Sequence, residues 1–101
     1  MGDDRRLTLP AKERLILELL AESGPQFGLQ LVEASAGQLK RGTVYVTLAR
    51  MQQKGFIDSD QESAVPGAIG LPRRIYRPTA LGARALHAFT QLAHALSWQD
   101  Q

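Results

Sequence analysis

Apolar positions recur at helical spacing along much of this 101-residue chain. Between Thr8 and Ser23, Leu15, Ile16, Leu19 and Leu20 repeat at i, i+1, i+4 and i+5, the stripe of an amphipathic helix. Thr8 is placed to cap that helix, with Pro10 in its first turn, where a missing N–H is tolerated. Ser23-Gly24-Pro25 breaks it. A shorter helix is predicted over Phe27–Ala36, with Phe27, Leu31 and Val32 on its apolar side and Gly37 as its stop. A third is predicted from Gly42 to Lys54, ending at Gly55. In it Val44, Leu48 and Met51, at i, i+4 and i+7, face the core. Thr43, Val46, Arg50 and Lys54 then occupy the opposite face, with Thr47 at its edge.

Phe56–Asp60 then reads as a strand and Arg74–Arg77 as its partner, where aromatic and β-branched residues meet arginine. Ala64–Pro72 lies between them, and its Pro66, Gly67, Gly70 and Pro72 suit a hairpin tip. Thr79 is placed to cap a last helix from Ala80 to Ser97. Within it Leu86, Phe89, Ala93 and Leu96 are spaced 3, 4 and 3, with Leu92 beside them, as in a short coiled-coil seam. Three short helices, a two-stranded hairpin and a further helix make a winged helix-turn-helix, an α+β fold that is mostly helical. In such folds the second helix of the turn-helix pair enters the major groove of DNA. The expected organisation is an N-terminal arm over 1–7, a winged domain over 8–78, and a C-terminal dimerisation helix and tail over 79–101.

Charge sharpens this picture more than composition does. Hydrophobic residues make up 44% and charged residues 22%, ordinary globular usage. The net charge of +2 is unevenly spread. Residues 40–55 carry Lys40, Arg41, Arg50 and Lys54 with no acid, and residues 71–101 carry four arginines against Asp100. Between them stand Asp58, Asp60 and Glu62. Two basic segments brought side by side by folding would form a phosphate-facing surface; kept apart, they are solvated faces. With no cysteine, disulfides, thiolate catalysis and cysteine-ligated zinc are excluded. Met1–Arg6 leads into no signal-type apolar core. The apolar cluster Leu15–Ala21 is broken by Glu18 and too short for a bilayer, so a soluble, cytoplasmic chain with no membrane partner is expected.

Taken one by one, the candidate residues divide as follows. Arg50 and Lys54 are placed to meet phosphates or base edges, and Arg can grip a guanine bidentately. Lys40 and Arg41 add phosphate-seeking charge before the third helix. Thr43 and Thr47 suit phosphate or base hydrogen bonds. Val46, β-branched amid polar neighbours, suits a thymine methyl. Tyr45 either donates to a phosphate or packs on the second helix. Arg73 and Arg74 either reach the DNA backbone or minor groove, or one of them pairs across the strands with Asp58 or Asp60. Leu86, Phe89, Leu92, Ala93 and Leu96 are the expected dimer interface. Phe89, Leu92 and Trp98 either belong to that dimer core or line an effector cavity between subunits. His87 and His94 are seven residues apart on one helix, about 10.5 Å along its axis, too far to share a metal ion. No phosphate-binding glycine loop, His–carboxylate motif or serine elbow is present, so neither an enzyme nor a cofactor or metal is expected.

Four segments in order resemble the PadR-like transcriptional regulators: Leu17–Glu22 with Gly24-Pro25 and Phe27-Gly28; Gly42–Tyr45 with Leu48–Met51; Lys54–Ile57; and Pro72–Gly82. The resemblance spans roughly Leu15 to Leu96. It implies a bacterial, nucleoid-associated, homodimeric repressor of double-stranded DNA, dimerised by its last helix together with its first. It also implies a possible small aromatic effector, since some members release DNA on binding an aromatic or cationic compound. The chain departs from the family pattern at Lys40-Arg41, where a Ser or Thr usually caps the third helix, and at Val46, where Pro is usual. The position that is aromatic and lines a drug pore in some members corresponds here to Leu92. A winged-helix module that binds a protein rather than DNA is the alternative, and retention on heparin or nonspecific DNA at low salt separates the two.

Overall fold

The computed structural model describes residues 9–62 and 73–99, with side chains as far as Ser97. The elements are α1 (Ala11–Ser23), β1 (Gln26–Phe27), α2 (Gly28–Ala34), α3 (Val44–Lys54), β2 (Ile57–Gln61), β3 (Arg74–Pro78) and α4 (Ala80–Gln99). The helix-helix-helix-hairpin-helix order is that of a winged helix-turn-helix. The expected arm at 1–7, the Thr8 cap and the hairpin tip at 64–72 lie outside the described residues.

The core forms where the apolar stripes of three helices meet one face of the sheet. Ile16, Leu17 and Leu20 come from α1, Leu31 from α2, and Val44, Leu48 and Met51 from α3. Leu39, Phe56, Ile57 and Tyr76 close it. All three inward positions of α3 are those its spacing marks. Several boundaries fall differently from expectation. Pro10 precedes α1 as its N-cap instead of lying in the first turn. α2 begins at Gly28, where the Phe27 N–H donates to Gln30 Oε1 at 2.8 Å. α3 begins two residues later than Gly42, because Lys40–Thr43 form a turn in which the Thr43 and Val44 N–H groups both donate to the Lys40 carbonyl.

The wing gains a third strand that no two-residue stretch could announce by periodicity. β3 lies between β2 and β1, antiparallel to both, with Tyr76 opposite Ser59 on one side and Gln26 on the other. Phe56 belongs to the core ahead of β2.

The α2–α3 turn is stored in three residues. Buried Ser35 donates from Oγ to the Val32 carbonyl at 2.7 Å and accepts from the Leu39 N–H at 2.9 Å. Ala36 and Gly37 then take φ values of 54° and 89° in succession. Glycine adopts that region freely, but for alanine it costs about 1–2 kcal/mol. Ala36→Gly is therefore expected to stabilise the domain, by about 0.5–1 kcal/mol once the extra freedom of glycine in the unfolded chain is discounted. A urea midpoint that rises at constant slope checks this; a fall means that the Ala36 methyl packs to advantage.

Thr79 fastens α4 to the body. Its Oγ1 accepts from the Gly82 N–H at 3.0 Å and donates to the Gly55 carbonyl at 2.5 Å, while its N–H donates to the Phe56 carbonyl at 3.0 Å. Along α4, Ala85 and Leu86 pack on the core. Phe89 is half-buried beneath the Arg14 guanidinium, 4.8 Å from its centroid. The expected seam is thus divided: Leu86 and Phe89 are engaged within their own chain, whereas Leu92, Ala93 and Leu96 are exposed. No described helix is long and apolar enough to cross a membrane.

Candidate nucleic-acid interface

Because Val44, Leu48 and Met51 turn inward, the rest of α3 faces out. Thr43, Tyr45, Val46 and Arg50 are exposed, Val46 to 59%, and Thr47 lies half-buried at the edge. Lys40 and Arg41 are exposed in the preceding turn. Neither they nor Arg50 forms an ion pair with another described residue. Gly55 closes the helix in the left-handed region, with the Gly55 N–H donating to the Gln52 carbonyl and the Phe56 N–H to that of Met51.

Lys54 departs from the outward face on which its spacing puts it. Its Nζ donates at 2.8 Å to Oε1 of Glu13, a carboxylate with 1% exposure on α1. The Lys54 side chain retains 12% exposure. Position 54 lies about 60° around the helix from Met51, at the border of the two faces. The long stem can turn either way, and a buried carboxylate decides it. That partner is 41 residues distant in sequence, so no local pattern reveals it.

The two arginines that open β3 diverge. Arg73 makes a bidentate pair with Glu62, at 3.1 and 3.3 Å, and lies 4.0 Å over the Phe27 ring. Arg74 donates through Nε to Ser59 Oγ at 3.0 Å and is otherwise exposed. Neither pairs with Asp58 or Asp60. Arg77 does so instead, because the register sets it opposite Asp58 and diagonal to Asp60. The signal was in the sequence: Asp58, Asp60 and Glu62 alternate at period two, as do Arg73 and Arg77, so one face of the hairpin carries both sets.

Tyr45 packs on α2 while remaining 49% exposed. Its ring lies against Gly28 so closely that a Cβ there would sit 2.7 Å from Cε1. Beside it a cavity of about 260 Å³ opens between the start of α2, the start of β3 and Tyr76. Tyr76 is buried, at 5% exposure. Burial pushes its phenol above the usual value of 10; Arg74 pulls against that and Tyr45 adds to it. The hydroxyl is therefore protonated at neutral pH.

Residues 16–88 match the Transcriptional regulator PadR-like family. The chain belongs to this family. Solved PadR structures share its fold. One from Eggerthella lenta is 28% identical, with 83% of this chain and 72% of that one covered at a TM-score of 0.68. A PadR family regulator from Clostridium difficile is 26% identical, with 83% and 88% covered at 0.68. Bacillus subtilis PadR, solved in complex with operator DNA, is 22% identical, with 82% of this chain but 48% of that one covered, again at 0.68. No curated protein matches the chain by sequence.

Proposed function

We propose that this PadR-like regulator is a homodimeric repressor that binds an inverted-repeat operator, reading bases with α3 and holding phosphates with the flanking basic residues. The observation that carries the reading is the outer face of α3 and its approach: Lys40, Arg41, Thr43, Tyr45, Val46 and Arg50, all exposed and without an acid among them. In a helix-turn-helix this face meets the major groove. Arg74 extends the basic surface from the wing, while Arg73 keeps one edge toward solvent beyond its pair with Glu62. The operator complex of Bacillus subtilis PadR supports DNA as the partner of this fold.

Dimerisation is supported by the exposed apolar residues of α4, Leu92 at 59% and Leu96 at 54%; Leu92 also borders a groove of about 420 Å³ between Leu9, Phe56, Leu81 and Phe89. An apolar stripe of this kind on a small chain marks a contact surface. A second copy, presenting the same stripe about a two-fold axis, buries it and sets two α3 helices one DNA turn apart.

Selection from a random duplex pool near physiological salt tests the proposal. Enrichment of an inverted repeat is the expected result; retention without enrichment, or no retention at low salt, overturns it. On the selected duplex Arg50→Ala is expected to weaken binding by about 5- to 150-fold with the dimer intact. Leu92→Asp combined with Leu96→Asp is expected to give a folded monomer by light scattering, with operator affinity lost alongside. These two positions suit the purpose better than Phe89, whose loss would also strip Arg14 of its ring. Unchanged dimer mass would refute this seat for the second copy.

A further inference from the structure

Val46 stands out on the exposed face of α3. It is the third residue of the helix and 59% exposed, an apolar side chain on a face it shares with Thr43 and Arg50, with Lys40 and Arg41 in the turn before it. The groove that Leu92 borders on α4 does not include it. Its neighbours in the first turn are engaged elsewhere. Tyr45 sets its ring against Gly28 of α2, and Thr47 turns its hydroxyl back to the Thr43 carbonyl at 3.4 Å. In a helix-turn-helix the N-terminal residues of the second helix are the ones that meet base edges. A valine in a helix holds nearly one χ1 rotamer, so the two methyls of Val46 point in a fixed direction and lose little freedom on contact. Arg50 follows four residues later, about 6 Å along the axis, the length of about two base steps.

What a valine can read follows from its chemistry. In the major groove thymine presents O4 as an acceptor and cytosine presents its N4 amino group as a donor, whereas a valine side chain neither donates nor accepts. It responds only to the substituent at C5. Thymine and 5-methylcytosine carry a methyl there; uracil and cytosine carry hydrogen. We propose that Val46 makes operator recognition depend on a pyrimidine C5 methyl within about two base pairs of the guanine taken by Arg50, so that the regulator distinguishes C5-methylated from unmethylated cytosine. Methylation of a cytosine at that position then strengthens binding, and α3 responds to a chemical mark on DNA as well as to its sequence. This dependence rests on the DNA-binding reading above and names the group on the DNA that Val46 meets.

The test uses the full chain and duplexes built on the selected inverted repeat, with each thymine replaced in turn by uracil in both half-sites. At one position per half-site the exchange is expected to weaken binding about 15-fold, roughly fourfold for each methyl removed from an apolar contact. At that position 5-methylcytosine is expected to bind about 15-fold more tightly than cytosine. Val46→Ala removes the reader, and alanine is the better helix former, so α3 is kept. On the thymine duplex this variant is expected to bind about 15-fold more weakly than the parent. It is expected to change less than about twofold between thymine and uracil, or between 5-methylcytosine and cytosine. Lys40→Ala is expected to weaken all these duplexes alike and to keep the parent's methyl response, which separates a lost reader from a weakened grip on phosphate. The absence of any thymine whose methyl matters, an equal methyl response in Val46→Ala, or no gain from 5-methylcytosine over cytosine each overturns the proposal and leaves the DNA reading standing. A parent that retains no duplex overturns both.

Discussion

Replacing Lys54 by methionine is expected to lower the free energy of unfolding by about 3–5 kcal/mol, because it abandons the Glu13 carboxylate in the core. A single buried charge without its partner is among the costliest defects a small domain can carry, and the whole stability of such a domain is only about 5–15 kcal/mol. The pair itself is a different matter. Bringing both ions out of water costs nearly as much as their attraction returns, so an apolar pair of similar volume serves as well. Glu13→Leu with Lys54→Met is accordingly expected to recover most of the loss. Urea unfolding of the parent, the two single variants and the double variant measures the coupling between them. A loss below about 1 kcal/mol in Lys54→Met would mean that Glu13 finds another donor. The double variant also separates two roles for Lys54. Operator affinity and its salt slope are expected to stay as in the parent, since the ammonium serves α1; a slope reduced by about one would mean that Lys54 reaches a phosphate after all.

Local periodicity carried most of the fold. The stripe of α3 was legible because one face is buried uniformly, so that Val44, Leu48 and Met51 declare both helix and orientation; in α1 the spacing picked out Ile16 and Leu20 but missed Leu17, which is buried where Leu15 and Leu19 are only half-buried. The cap at Thr79 was legible because capping is a local event. What could not be read depended on partners distant in sequence. β1 is two residues long and exists through its pairing with β3. Lys54 stands on the border between faces and was turned inward by Glu13. Leu86 belongs to a seam by its spacing, yet α4 packs on the core through Ala85 and Leu86 and meets Arg14 through Phe89, so its stripe is shared between the chain and whatever covers Leu92. The site divides the same way. The outward residues of α3 follow from the helix; Arg73, Arg74 and Arg77 needed the strand register to assign which of them meets Glu62, Ser59 or the two aspartates.

Gly82→Ala is expected to destabilise the domain by about 3 kcal/mol or more, although alanine is the better helix former by about 1 kcal/mol. A Cβ at Gly82 would lie 2.0 Å from the Phe56 carbonyl oxygen and 2.9 Å from its carbon. Those are backbone atoms at the α3–β2 junction and cannot swing aside as a side-chain tip can. The same carbonyl accepts from the Thr79 N–H, and Thr79 Oγ1 holds Gly55. Relief requires α4 to lift, and lifting it loosens the contacts that bind the helix to the junction, each worth about 1 kcal/mol. For a domain of this size about 3 kcal/mol lowers Tm by roughly 12–24 °C. Gly42→Ala is the control: nothing lies within 4 Å of a Cβ there, and Tm is expected to stay within about 3 °C of the parent. The consequence reaches function through geometry. α4 carries the face proposed for the second copy, and its first turn is fastened to the residues that end α3. A displaced α4 therefore alters the separation of the two α3 helices in a dimer. Below its melting temperature Gly82→Ala is expected to lose affinity for a two-half-site duplex disproportionately to its affinity for a single half-site. Equal losses on both duplexes would show that the tight approach of α4 serves stability alone.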